Sequence, residues 1–352
     1  MSKDTTSIIL IILNIIVIFL IFYKIFIRKE ETKVIHDANW PFLNFLDENN
    51  NKVNILCMRG LLQADIDFKL FNKFREEGYK IIGCSSYLTF PFKCNNPTQL
   101  MKGGICYEEQ YLGGKRIDEI VDGWLHCFKN SDNILSKHKL LLSESDFMDS
   151  IKVLRDFNPN RKKYQYDFIC YCPSDPQGCD YGWHYHNKNW PLAKSTIEVL
   201  CNDLNLQGLL VGRSKCEINI INGGLKKIEW LQYNDFLQSI ANSKFMIVSS
   251  EEDASPRTMG ESLLLDTPIF VNENILGGWK YVNDQTGLFY NKSTIKEKAN
   301  ELLYNINKNN YSPREYYTNN YGIYNSGKVL RDFLVKIDPK LSKHKYIKFA
   351  IS

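Results

Sequence analysis

The sequence predicts an α/β protein of two Rossmann-like domains facing a cleft, preceded by one N-terminal transmembrane helix. Three observations carry that expectation. Short apolar runs of strand length alternate with stretches whose apolar residues recur at helical spacing, the pattern of parallel sheets wrapped by helices. The 352 residues are enough for two domains of ordinary size, each with its own core. Finally, residues 8–22 are apolar apart from Asn14, and the run continues past Lys24 to Ile27. That is close to the ~20 residues that span a bilayer. It is too long for the apolar region of a signal peptide, and no small-residue cleavage site follows.

The elements follow in order. Residues 1–6 are a tail and 7–27 the anchor. Lys24, Arg28, Lys29 and Lys33 follow the span and only Lys3 precedes it, so the positive-inside rule sets the bulk of the chain on the cytoplasmic side. A Golgi or ER luminal orientation is the alternative. Residues 28–50 read as a polar stalk with one aromatic cluster, Trp40-Pro-Phe-Leu-Asn-Phe45. The first domain, 51–160, opens on the strand Val53-Asn-Ile-Leu-Cys-Met58. A helix with Phe68, Phe71 and Phe74 on one face follows, then a strand from Tyr79 after the turn at Gly78. A helix is expected over 117–129, where Ile120, Val121, Trp124 and Phe128 share a face and His126 rides along. A strand over 140–143 leads into Glu144-Ser-Asp146. Asn158-Pro-Asn-Arg-Lys-Lys163 reads as the linker.

The second domain, 161–312, opens on the strand Tyr166-Asp-Phe-Ile-Cys-Tyr171. Pro191 starts a helix striped by Ala193, Ile197, Leu200 and Leu204, and Gly208-Leu-Leu-Val-Gly212 returns as a strand. A short helix over 235–241 precedes the strand Lys244-Phe-Met-Ile-Val-Ser249. The following Asp253-Ala-Ser-Pro-Arg-Thr-Met-Gly-Glu261 is the most informative stretch of the chain. Ser255 is a natural N-cap, Pro256 suits the first helical position, and Pro268 ends the helix before the strand Pro268-Ile-Phe-Val-Asn272. Strand, loop, helix, strand is one βαβ unit, and Asp253 falls beyond a strand's carboxyl end, where open α/β sheets bind ligands. Amide groups around Arg257 and Thr258 suit a phosphate, and Glu261 lies one turn further on. An acid, a phosphate cradle and a second acid suit a sugar nucleotide. A helix over 294–307 closes the domain. Residues 313–352 form a terminal helical segment, with Val329, Phe333 and Leu334 aligned, and a tail.

Together with Ser262-Leu-Leu-Leu-Asp-Thr-Pro268 and Gly277-Gly-Trp-Lys-Tyr-Val-Asn-Asp-Gln-Thr-Gly287, the Asp253-x7-Glu261 pattern resembles the donor-binding half of GT-B retaining glycosyltransferases with an E-x7-E signature. The resemblance covers residues 164–307. It implies that Asp253 contacts donor-sugar hydroxyls and Glu261 holds the ribose, with Asp in place of Glu shortening the first reach by one methylene. It implies that Lys188 neutralises the donor diphosphate, with Arg257 or Arg213 as second cation and Ser255 and Thr258 beside them. His126, Glu144 and Asp146 are acceptor-side candidates. In the GT-B fold the terminal helix crosses back to brace the first domain. The implied activity is transfer of a sugar from a nucleotide-sugar donor to a glycan, lipid or protein acceptor with retention, with no metal and no cofactor. A nucleotide-sugar 2-epimerase with Glu144 and Asp146 as its acids, or an inactive membrane-tethered binding protein, are the competing readings.

Composition excludes less than it permits. A net charge of +4 is nearly balanced, and no basic run interleaved with aromatics points to nucleic acid. The ten cysteines follow no disulfide-framework spacing, so pairing in an oxidising lumen and reduced core thiols are equally open readings. Cys170, Cys172, Cys179, His184 and His186 match no standard zinc pattern, so core thiols and loop histidines are expected there.

Overall fold

The computed structural model describes residues 38–62, 64–85, 92–93, 108–109, 111–112, 114–129, 131, 138–149 and 164–350. The expected anchor and the linker lie outside these residues. Among the described residues, no helix is long and apolar enough to cross a membrane.

The first lobe is a six-stranded sheet. Strands β1 (Phe42–Asp47), β2 (Lys52–Met58) and β3 (Lys80–Cys84) open it. Two-residue ribbons follow, β4 (Phe92–Lys93) with β5 (Glu108–Glu109) and β6 (Tyr111–Leu112) with β7 (Lys115–Arg116). Strands β8 (Gly123–His126) and β9 (Lys139–Leu141) complete its parallel part. The last strand of the chain, numbered β16 (Ile347–Phe349), pairs antiparallel with β1, which pairs antiparallel with β2. The end of the expected stalk is therefore built into the sheet. The cause is two-sided burial: Phe42 packs edge-on against Phe74 of helix α1 (Asp65–Glu76), and Phe45 packs against Phe349. An apolar run buried on both faces is a strand, not a solvated spacer.

The helix expected over 117–129 is also corrected. Only Ile117–Ile120 is helical (α2), and His126 ends strand β8. Asp122 breaks the helix, since its carboxylate accepts the Ile81 amide at 2.8 Å and pairs with Arg75 of α1. Trp124 and Leu125, 1% and 0% exposed, serve both faces of the sheet, and a short apolar run of that kind does not reveal its period.

The second lobe is fully parallel. Its strands are β10 (Tyr166–Tyr171), β11 (Gln207–Val211), β12 (Gly224–Ile228), β13 (Ser243–Val248), β14 (Ile269–Asn272) and β15 (Gly287–Tyr290), in spatial order β12-β11-β10-β13-β14-β15. Between them run α3 (Trp183–Asn187), α4 (Trp190–Asn202), α5 (Tyr233–Ala241) and α6 (Arg257–Leu264), followed by α7 (Ile295–Asn307). Successive residues of β10 face opposite cores. Phe168 and Cys170 pack with Ala193 and Ile197 of α4 and Leu302 of α7. Ile169 packs with Ile240 of α5 and Leu263 of α6. Strand β12 carries Lys226 and Lys227, exposed, at the sheet's edge, which discourages further pairing. Helix α8 (Pro313–Asn320) packs on α6, and α9 (Gly322–Val335) returns to the first lobe, where Leu330, Phe333 and Leu334 join its core.

The lobes meet on a short 3-10 turn, Glu144–Phe147. Asp146, 0% exposed, accepts the Tyr281 hydroxyl at 2.5 Å, the Lys280 ammonium at 2.6 Å and the Ser143 amide at 2.8 Å. Tyr317 donates to the Ser145 carbonyl at 2.6 Å, and Ser326 donates to the Asp146 carbonyl at 2.8 Å. Three segments of the second half of the chain thus converge on one turn of the first lobe. Breaking a buried charge pair by removing one partner costs about 3–5 kcal/mol. Asp146→Ala should lower stability by that order, read from the denaturant midpoint. A loss near that of an exposed substitution would show that the turn does not join the lobes.

Candidate functional site

Strand order reverses between β10 and β13, with β11 and β12 to one side and β14 and β15 to the other. The loops leaving a parallel sheet at such a point diverge and open a crevice beyond the strands' carboxyl ends. Lys188, Asp253 and Ser255 lie on these loops, and Arg257, Thr258 and Glu261 lie on the helix that follows the second of them.

The loop after β10 delivers Lys188 at the end of α3. Three bonds dock this end on the loop after β13. Ser249 donates to the Lys188 carbonyl at 2.6 Å, Glu251 N–H to the Asn187 carbonyl at 3.1 Å, and the Asn189 amide to Glu251 at 3.0 Å. Asn189 also caps α4, accepting from Leu192 N–H. The Lys188 ammonium consequently pairs with Asp253, and both side chains are largely buried. Asp253 accepts the Ser255 amide at 3.2 Å through its other oxygen. Burial and Cys84 push the Cys127 thiol up, and the charge of Asp253 adds to the shift. Asp253 therefore lies within electrostatic reach of Cys127, the residue that follows β8.

Helix α6 begins one residue later than expected. Pro256 is its N-cap, and Ser255 makes no cap bond. Proline has no side-chain acceptor, so the first amides of α6 receive no side-chain cap and can serve an anion. Arg257 is exposed there and Thr258 half-buried. Glu261, 6% exposed, accepts the Tyr233 hydroxyl at 3.0 Å. Burial pushes the Glu261 carboxyl up, while the Tyr233 bond and the Arg257 charge oppose it. Arg257, Thr258, Glu261 and Tyr233 line a cavity of about 1090 Å³ that extends to Tyr171 at the end of β10 and to Glu144 of the first lobe. Lys188 and Asp253 are not in its lining. Lys188 is nonetheless close enough to the Tyr171 hydroxyl to oppose the upward shift that burial gives it.

The remaining candidates separate. Glu144 lines the cavity and pairs with Arg59, at 2.5 Å from its Nε. His126 is 6% exposed and stacks on Phe128, with ring centroids 6.2 Å apart. Asp146 is fully committed to the turn between the lobes and cannot meet an acceptor. Ser255 accepts the Ser145 amide at 2.9 Å, so its hydroxyl also belongs to the lobe junction. Arg213 is 1% exposed and pairs with Asp175, with its guanidinium over the Tyr185 and Trp190 rings at 5.7 and 5.3 Å. It is a buried strut, not a free cation for a diphosphate. Sequence reasoning missed Tyr233, since nothing local marks a tyrosine as the partner of a carboxylate 28 residues away.

Cys179 is not the core thiol expected of the histidine–cysteine loop, and for one pair the structure decides what the spacing left open. Cys179 and Cys216 form a disulfide. The free cysteines among the described residues, including Cys170 and Cys172, are buried. Among the described residues, the one His/Cys/Asp/Glu group with mutually close ligand atoms is Asp47, Glu48 and His344, which shares no member with the histidine–cysteine loop.

No protein-family model matches the chain, and no curated protein matches it. Solved structures are similar in chain trace. Sucrose-phosphate synthase from Thermosynechococcus elongatus is 10% identical over 78% of this chain and 70% of that one, with a TM-score of 0.46. S. aureus TarM, in complex with fondaparinux, α-GlcNAc-glycerol and UDP, is 12% identical over 78% of this chain with a TM-score of 0.47. This chain spans about half of that protein, 54%. A glycosyltransferase from Rickettsia africae is 14% identical over 83% of this chain and 77% of that one, with a TM-score of 0.47. Likeness of trace at this identity carries no chemistry, which must come from the site.

One carboxyl beside the site titrates near neutrality. Burial and then Glu251 push Glu252 up to about 7 from an ordinary 4.5. Its folded pKa exceeds its unfolded one, so its favourable contribution is complete below about 4.5 and is lost as the pH rises through about 7. Glu252→Gln should therefore raise the thermal midpoint more at about pH 8 than at about pH 5. An equal shift at both would mean that Glu252 titrates as an ordinary surface acid.

Proposed function

We propose that the protein is a glycosyltransferase of the GT-B type, moving a sugar from a nucleotide-sugar donor to an acceptor with retention and without a metal ion. The observation that carries this reading is the convergence at the strand-order reversal. Lys188 meets Asp253 there, and the next helix presents Arg257, Thr258 and the buried Glu261 to the cavity. The leaving diphosphate needs positive charge placed in advance, and preorganised donors supply it in a partly desolvated site. The Lys188 ammonium has three donors, so it keeps Asp253 and still binds a phosphate oxygen. The first amides of α6 and Arg257 complete the cradle. Asp253, held on the cleft side by Lys188 and the Ser255 amide, orients the sugar hydroxyls. Glu261 accepts the ribose hydroxyls. A carboxylate has about four lone-pair sites, and Tyr233 uses one.

Metal independence follows from this supply of charge. The chain's Asp65-Ile-Asp67 does not offer a metal-bound alternative, because both acids lie in the first turn of α1 and Asp67 accepts the Ala64 amide at 3.0 Å. The 2-epimerase reading loses support from the burial of Asp146, one of its two acids, in the lobe junction. The acceptor is a glycan, lipid or protein, approached from the first lobe, with Glu144 and His126 nearest in kind. Residues 7–27 are proposed as a single membrane anchor on sequence grounds. The Cys179–Cys216 bond favours a luminal or other oxidising side over the cytoplasmic side suggested by the positive flank. A C-terminal tag digested by protease in intact microsomes would reverse that orientation.

Calorimetry with UDP and GDP, together with a nucleotide-sugar panel scored for transfer, tests the reading. Glu261→Ala should weaken nucleotide binding by about 1.5–3 kcal/mol, the worth of hydrogen bonds to a charged group. Unchanged affinity would remove Glu261 from the donor site. Transfer should also survive EDTA. Activity that EDTA abolishes and Mn²⁺ or Mg²⁺ restores would sink the metal-free mechanism.

A further inference from the structure

We infer that Asp175, Arg213 and the Cys179–Cys216 disulfide form a latch that positions Lys188, and that a dithiol reductant opens it. The inference rests on the donor role proposed for Lys188. The chain turns sharply after β11: Gly212 has φ +91°, and a Cβ there would lie 2.1 Å from the Cys172 carbonyl. That turn drives the Arg213 side chain inward. Its guanidinium pairs with Asp175 and donates to the Cys179 carbonyl at 2.9 Å. Asp175 in turn accepts the His184 amide at 2.8 Å and the Tyr185 amide at 2.7 Å, capping the short helix α3. Gly182, at φ +133°, makes this approach possible, since a Cβ there would lie 2.3 Å from the Asp175 carboxyl carbon. Lys188 follows directly at the end of α3. The path from β11 to the donor lysine is therefore continuous: Arg213, Asp175, α3, Lys188.

The disulfide reinforces the same path. Cys179 lies between Asp175 and α3, and Cys216 lies three residues beyond Arg213 and donates its amide to the Arg213 carbonyl at 3.0 Å. The bond staples the loop after β10 to the loop after β11, across a separation of 37 residues. Without it, the Arg213–Asp175 pair and hydrogen bonds must hold the loop, and a buried ion pair contributes little net attraction after desolvation. Cys216 is 4% exposed and Cys179 more open, so a reagent thiolate reaches Cys179 first. The attack forms a mixed disulfide on Cys179, and Cys216 leaves as a thiolate and takes a proton. The reagent's second thiol then closes on the mixed disulfide, releasing Cys179 and the oxidised cyclic reagent. The free cysteines among the described residues are already thiols and take no part in the exchange.

The test uses the full-length protein before and after mild dithiothreitol treatment, with the new thiols on Cys179 and Cys216 counted by peptide mass. Amide hydrogen exchange is followed over residues 175–189, and UDP and GDP affinity is measured in parallel. Reduction should speed exchange across 183–188 while the β10 amides stay protected. It should weaken nucleotide binding roughly tenfold, the order expected when a binding loop must be re-ordered. Cys216→Ser should behave as the reduced protein and ignore the reagent, and Arg213→Lys should fall between, keeping the charge but losing the fork. Unchanged exchange over 183–188 after verified reduction would overturn the latch. Faster exchange in a protein that binds neither nucleotide in its oxidised form would uphold the latch and remove the donor reading instead.

Discussion

Asp146 is a fully buried carboxylate at which two lobes and the terminal helices come together. Its two oxygens take an ammonium, a phenol and a backbone amide, and the serine before it takes another phenol at its carbonyl. Burial, and then the Asp146 charge, push the Tyr281 hydroxyl far up, so that it remains a donor. A carboxylate removed from water is costly unless its lone pairs are matched, and here donors from both lobes match them. The geometry of the cleft depends on that match. The Lys280–Tyr281 segment lies just beyond the glycines that follow β14, and it bonds directly to the turn whose first residue, Glu144, lines the cavity.

The site shows the same economy of buried charge. Lys188 and Asp253 neutralise one another on adjacent loops, and neither is fully withdrawn from solvent. Glu261 is more deeply buried and, among the described residues, has the Tyr233 hydroxyl and the Arg257 field to offset its desolvation. A group held at such a cost in a cleft wall is one a ligand can relieve, because hydroxyl donors from a sugar would restore what burial removed. Arg213 is the contrasting case. It is also a cation close in sequence to a strand end, yet its charge is spent on Asp175 and on two aromatic faces, where it shapes a loop.

Much of the second lobe was legible from local pattern. The strand expected from Tyr166 to Tyr171 is the observed one, and the helix after Asn189 and the βαβ unit around Asp253 lie within a residue or two of their expected limits. Fully buried parallel strands appear as continuous apolar runs, and helices with one buried stripe repeat at 3.6 residues, so both periods survive in the sequence. The first lobe was less legible. Strand β8 read as a helix because Val121, Trp124 and Phe128 recur at helical spacing, while the strand itself, Gly123–His126, is buried on both faces and shows no alternation. Strand β1 read as a stalk because its partners, Phe74 and Phe349, lie far along the chain.

The sequence by itself determined that Asp253, Arg257, Thr258 and Glu261 share one strand–loop–helix unit at a sheet's carboxyl edge. That placement needs only local periodicity, proline chemistry and the handedness of βαβ units. Tertiary structure alone decided which charges are free and which are committed. Asp146 and Arg213 look like cleft residues in the sequence, yet the first is consumed by Lys280 and Tyr281 and the second by Asp175, partners 134, 135 and 38 residues away. The cause is physical: whether an ionised group meets solvent or a counter-charge depends on what the remainder of the chain packs against it, and no local pattern records that.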